Sequence, residues 1–134
     1  SLMHQLTHNP MLGHITTFGG HPVSYAAGNA ALHLLQNGPE LPDLRRKSLL
    51  LQNLLELLPH TTGISGTGFL WSVGVGSLDR AVRVQHAALK NGLLTDWFLF
   101  ESTALRIAPP LTCSDEELRS GADILADALR QHPN

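Results

Sequence analysis

The sequence predicts an α+β domain: a small, mostly antiparallel sheet covered by helices on one face. Three observations predict it. Four stretches repeat apolar residues at the three- and four-residue spacing of an amphipathic helix. Three short apolar runs cluster in the second half of the chain, two of them close enough to form a hairpin. The length, 134 residues, is that of one domain, which buries roughly two-thirds of its unfolded surface.

Residues 1–13 mix polar and apolar types around Pro10 and Gly13 and read as a lead-in that ends in a turn. From Pro22, the residues Val23, Ala26, Ala27, Ala30, Ala31, Leu34 and Leu35 mark a first helix with a small-residue face, stopped by Gly38 and Pro39. A second helix is expected over 42–58, where leucines cover more than one stripe and imply burial on two sides or a contact with another domain. Glycines at 63, 66, 68, 74 and 76 surround Phe69, Leu70, Trp71, Val73 and Val75, which read as a strand over 69–75 after a close backbone approach.

Ser77 is the expected N-cap of a third helix running to Lys90, closed by Asn91 and Gly92. Two strands follow over 93–100 and 104–108, joined through Glu101, Ser102 and Thr103, and Pro109-Pro110 ends the sheet. Ser114-Asp-Glu-Glu117 is a capping box, and Leu118, Ala122, Leu125 and Leu129 stripe a last helix to Gln131. The order helix, helix, strand, helix, strand, strand, helix gives the predicted fold class.

Composition narrows the function. Apolar content is 43% and charged content 15%, below the roughly 25% of an average domain, which leaves surface suited to lie against other protein. A net charge of -2 with nine Lys and Arg excludes a basic nucleic-acid stripe. No apolar run reaches membrane-span length and no secretory signal opens the chain, so no membrane partner is expected. Cys113 stands alone, which rules out an internal disulfide and fits a reducing compartment, with the cytoplasm as the expected location. The chain opens Ser-Leu-Met and reads as a segment that follows something upstream.

Most chemistry-bearing patterns have a plain structural explanation. His4 and His8 share a helical spacing, yet no carboxylate or cysteine stands at ligand distance in sequence, so no metal is expected. Gly63, Gly66 and Gly68 run G-x-x-G-x-G and precede a strand, the wrong order and context for a dinucleotide loop. Cys113, just before a helix cap, reads as a packed thiol, and no nucleophile elbow is present.

Two places remain. Residues 14–22, His-Ile-Thr-Thr-Phe-Gly-Gly-His-Pro, set the hydroxyls of Thr16 and Thr17 and two glycines before a helix start. Unpaired N–H groups and the positive end of the helix dipole there suit a phosphate, while an ordinary loop and cap uses the same residues. In Leu105-Arg-Ile-Ala108, alternation separates Arg106 from the face of Leu105 and Ile107. Arg106 is thus either a bidentate carboxylate clamp or a surface arginine paired with Glu101. On these residues alone, an enzyme domain and a non-catalytic binding or interaction module with leucine-rich faces both stay open.

Together, Thr16-Thr-Phe-Gly-Gly-His-Pro22 and Leu105-Arg-Ile-Ala-Pro-Pro-Leu111 resemble the last third of class III aminotransferases, the pyridoxal-phosphate enzymes that include acetylornithine, ornithine and 4-aminobutyrate transaminases. Gly66-Thr-Gly68-Phe-Leu, Asn91-Gly-Leu-Leu94 and Ser114 to Glu117 extend the resemblance over nearly the whole chain. It implies the C-terminal small domain of a fold-type I enzyme over 14–134, with 1–13 leading in from a large domain. It implies that Thr17, with Thr16 beside it, contacts the pyridoxal 5'-phosphate group held by the other subunit of a homodimer. It implies that Arg106 binds the substrate carboxylate as an amino group passes from an amino acid or amine to a 2-oxo acid.

His21 stands where the family more often has asparagine. The Schiff-base lysine belongs to the large domain, and Lys47 and Lys90 match neither it nor its surroundings. The resemblance therefore implies that this segment alone does not transaminate.

Overall fold

The computed structural model describes residues 16–38, 41–98 and 101–133. The lead-in with His4 and His8, the start of the turn at His14, and Leu99 and Phe100 lie outside the described residues. The chain divides into two compact units, Ser1–Pro39 and Glu40–Asn134, and each is described by itself.

In the first unit a turn over 17–20 leads into helix α1, Pro22–Asn37. Pro22 occupies the first helical position, where its missing N–H costs nothing. At the other end the Gly38 N–H donates to the Leu34 carbonyl at 2.7 Å, so the predicted stop is the observed one. No residue of α1 is buried, and Val23, Tyr25 and Leu34 are among its exposed apolar side chains.

The second unit runs α2 (Leu41–Glu56), β1 (Gly63–Thr67), β2 (Leu70–Gly74), α3 (Leu78–Lys90), β3 (Asp96–Phe98), β4 (Glu101–Ile107) and α4 (Asp115–Gln131). The strands form one antiparallel sheet in the order β1-β2-β4-β3. Registered rows alternate between faces. Ile64, Val73, Leu105 and Trp97 form one row, and Ser65, Ser72, Arg106 and Asp96 form the next, on the opposite face.

Ile64, Val73 and Leu105 of the first row, with Trp71, meet the helices, while Trp97 at the sheet edge stays exposed. Val73 and Leu105 are fully buried against Leu51 and Leu55 of α2, Val84 and Ala88 of α3, and Leu125 and Leu129 of α4. The leucines of α2 do cover more than one stripe: Leu51 and Leu55 enter the core, Leu50 and Leu54 pack against it, and Leu49 points outward. The predicted class, a small antiparallel sheet with helices on one face, is the observed one.

Two details correct the sequence reading. The glycine-rich run is not merely an approach to a strand but a strand itself, β1, joined to β2 by Gly68 and Phe69. Gly68 adopts φ +60 at the first turn position, which favours glycine in a two-residue hairpin. Gly66 lies opposite Trp71, and a Cβ there would stand 2.7 Å from the Trp71 Cα and 2.8 Å from an indole carbon. The Trp71 indole N–H donates to the Gly68 carbonyl at 2.9 Å. Gly66 makes room for the tryptophan.

The second correction concerns the last hairpin. Glu101, Ser102 and Thr103 are not its connection; they belong to β4, and Phe98 pairs with Glu101. The Thr103 carbonyl accepts from the Val75 N–H at 2.8 Å, which locks this end of β4 to the chain leaving β2. Leu93 to Thr95 precede β3 without strand pairing.

The helix ends follow their signals. The Ser77 hydroxyl accepts from the Arg80 N–H at 3.2 Å and starts α3. Asn91 donates from its side chain to the Ala87 carbonyl at 2.9 Å and ends it. The Ser114 hydroxyl accepts from the Glu117 N–H at 3.2 Å while the Glu117 carboxylate accepts from the Ser114 N–H at 2.7 Å, completing the capping box of α4. Arg80 crosses from α3 to donate to the His132 carbonyl at 2.6 Å and the Val75 carbonyl at 2.9 Å, which ties the end of α4 to the sheet.

Candidate functional site

The turn before α1 is built by its glycines. The Gly19 N–H donates to the Thr16 carbonyl at 3.4 Å and the His21 N–H to the Phe18 carbonyl at 3.1 Å. Gly20 adopts φ +85, a conformation that side chains disfavour. A Cβ on Gly19 would collide with the Thr16 side chain. Thr16 and Thr17 are both exposed in this turn.

His21 is the N-cap, and its side chain accepts no hydrogen bond from the helix. Its ring instead stands edge-on to Phe18, 6.3 Å between centroids. The first turn of α1 holds no acidic residue, and residues 16–38 contain no Asp, Glu, Lys or Arg. Open N–H groups, two hydroxyls and no competing carboxylate are the requirements of an anion site at a helix start.

Arg106 lies in the other unit. The strand alternation is as expected: Leu105 is fully buried, Ile107 packs against the core, and the Arg106 side chain is 49% exposed on the opposite face. Thr95 fixes the backbone there. Its hydroxyl donates to the Arg106 carbonyl at 2.8 Å, and its own carbonyl accepts from Gln85 of α3 at 3.0 Å.

The acid beside Arg106 is not Glu101, which the surface reading of this arginine offered as a partner. The Glu101 carboxylate accepts from the Thr103 N–H at 3.1 Å and from the Thr103 hydroxyl, and these bonds lower its pKa below the ordinary carboxylate value. The acid near Arg106 is Asp96, at 3.8 Å between Arg106 Nη2 and Asp96 Oδ2. That gap is too long for a hydrogen bond, so this carboxylate takes up none of the guanidinium donors. Asp96 and Thr95 escaped the sequence reading. The hairpin alone gave no signal for Asp96: regular pairing from Phe98 and Glu101 would set Asp96 opposite Thr103, and an irregularity between Trp97 and Phe98 shifts the register so that Asp96 meets Arg106.

Other chemistry-bearing residues serve the fold. Cys113 is half-buried against the core, and burial, with the nearby Glu117 charge, pushes its thiol pKa up, as a packed thiol requires. A cavity of about 290 Å³ beside it is lined by apolar side chains such as Leu51, Leu55, Ile107 and Leu125. Arg46 of α2 donates to both oxygens of Asp115 at 2.6 and 2.8 Å and to both of Asp43 at 2.6 and 3.0 Å, joining α2 to the start of α4. Lys47 sits on α2 with its Nζ 3.7 Å from Asp43, and Lys90 ends α3. Among the described residues no three His, Cys, Asp or Glu are grouped to hold a metal, and no helix is long and apolar enough to cross a membrane.

The family model for aminotransferase class III matches residues 2–129. The chain belongs to the class III aminotransferase family. It is 39% identical over 118 residues to the acetylornithine aminotransferase of Haemophilus ducreyi, a match covering 88% of this chain and 29% of that relative. The chain therefore spans under a third of the length of such curated relatives.

Solved structures share the fold. An adenosylmethionine-8-amino-7-oxononanoate aminotransferase from Methanocaldococcus jannaschii superposes with a TM-score of 0.76 at 19% identity, over 95% of this chain and 32% of that one. A PMP-bound aminotransferase from Vibrio fluvialis gives a TM-score of 0.76 at 20% identity, over 97% and 31%. The family match and the acetylornithine aminotransferase relatives do not favour the stand-alone interaction module.

Proposed function

We propose that the protein carrying this chain is a pyridoxal 5'-phosphate-dependent transaminase that moves an amino group from an amino acid or amine to a 2-oxo acid. The observation that carries the reading is Arg106: an exposed guanidinium, its backbone clamped by Thr95, at the end of a strand in a class III aminotransferase chain. A guanidinium fork matches a carboxylate bidentately, and such charge-assisted pairs orient a substrate as well as bind it.

The turn before α1 fits a phosphate by its own chemistry: uncapped N–H groups, the Thr16 and Thr17 hydroxyls, and no acidic residue in the first turn. Thr17, with Thr16 beside it, would donate to the cofactor phosphate there. When bound, the cofactor supplies the electron sink for the amino transfer. This chain's residues hold the phosphate and orient the substrate carboxylate. An exposed α1 free of charged residues also suits a surface covered by other protein, which supports a homodimer in which the turn serves the other subunit. The large domain of the same polypeptide would bring the Schiff-base lysine, so this segment alone does not transaminate. A cytoplasmic enzyme of small metabolites completes the reading.

The test uses the full-length protein loaded with pyridoxal 5'-phosphate. With N-acetylornithine or another amino acid as donor and 2-oxoglutarate as acceptor, glutamate accumulates. The Arg106→Gln variant raises the donor KM by about tenfold or more, the loss of a charged bidentate contact. No amino transfer from any of a panel of amino acids and amines would refute the reading.

A further inference from the structure

We infer that Asp96 is a counter-charge that keeps the Arg106 clamp exchangeable, weakening its hold on any one carboxylate so that two different ones bind and leave in each cycle. The inference rests on the reading of Arg106 as the substrate-carboxylate clamp.

The geometry is particular. Asp96 and Arg106 are register partners on the polar face of the sheet, with Ser72 the uncharged partner on the other side of Arg106. The Asp96 Oδ1 accepts from the Trp97 N–H at 2.8 Å, which pins the carboxylate to its own strand. Oδ2 stands 3.8 Å from Arg106 Nη2, near enough for Coulomb attraction and too far to bond. The two side chains are 50% and 49% exposed.

An acid in direct contact would occupy the fork, as both Asp43 and Asp115 occupy Arg46. Asp96 does not. It leaves the donors open to a ligand, yet its charge lies beside any carboxylate that arrives and repels it. Glu101, the other nearby acid of the hairpin, is engaged by Thr103. A transaminase must release one carboxylate product before the next substrate binds, so a clamp that binds every carboxylate tightly slows turnover.

Exposed pairs of this kind shift binding by about two- to five-fold. The probe is glutarate, titrated by calorimetry into the full-length protein, with Asp96→Asn as the main variant. Asparagine keeps the acceptor for the Trp97 N–H and removes only the charge. Glutarate should bind about two- to five-fold more tightly to Asp96→Asn, with a similar gain in Asp96→Ser and no gain when Arg106→Gln is added. The donor KM should fall with it, and kcat should not rise.

Unchanged or weakened glutarate binding in both Asp96 variants, alongside a loss in Arg106→Gln, would overturn the role of Asp96 and leave the clamp standing. Glutarate binding that is indifferent to Arg106→Gln would overturn the clamp, and the inference with it.

Discussion

α4 and α1 begin in opposite ways. At α4 every device for closing a helix start is in place: Ser114 and Glu117 cap each other, three acids occupy the first turn, and Arg46 crosses from α2 to hold Asp115. At α1 only Pro22 marks the start: the His21 side chain caps nothing, no acid complements the dipole, and no residue of the helix is buried. A closed end is structural, because its N–H groups are spent within the chain. An open end preceded by two exposed threonines leaves its N–H groups available for the proposed phosphate.

The contrast can be broken first at the core. Leu105→Ala should cost about 2–5 kcal/mol in urea unfolding, the loss of a fully buried leucine between the sheet and its helices. Leu34→Ala, on the exposed α1, should change stability by less than about 0.5 kcal/mol. Equal costs would mean that α1 is held by a core of its own.

The caps offer a finer test. Removing the hydroxyl in Ser114→Ala should cost about 1 kcal/mol by the same unfolding assay. His21→Asn should do the reverse and raise α1 helicity by circular dichroism, because asparagine can accept from the open N–H groups. A helicity loss would show that His21 already closes the helix.

Acid separates the two regions most gently. The Arg46 contacts lower the pKa of Asp115 and Asp43, and the Ser114 bonds lower that of Glu117. Groups depressed in this way add stability above their unfolded pKa values, near 4, and lose it as pH falls through the folded values. Stability should therefore decline below about pH 4, and Asp115→Asn should flatten the decline. The unit with α1 has no Asp or Glu over 16–38, so its helicity should not follow that slope.

The helices were legible because their boundaries are local chemistry: Pro22, Ser77 and the Ser114 capping box each name a helix start without help from the fold. Arg106 was legible for a similar reason, since alternation around the buried Leu105 fixes its face. β1 was hidden because Gly63 and Gly66 have poor strand preference, and Gly66 is required by what lies against it, the Leu70 carbonyl and Trp71. Asp96 was hidden because its place depends on register. Reading Glu101 to Thr103 as a turn moved the pairing and offered Arg106 the wrong acid, and the Val75 to Thr103 bond that extends β4 is tertiary.

The open end of α1 carries the proposed cofactor site, and the phosphate contact proposed for Thr17 tests it most directly. Pyridoxal 5'-phosphate should bind the full-length Thr17→Ala protein about tenfold more weakly than the parent, with the unfolding midpoint of the cofactor-free proteins unchanged. An unchanged dissociation constant would contradict the assignment of this turn to the cofactor phosphate.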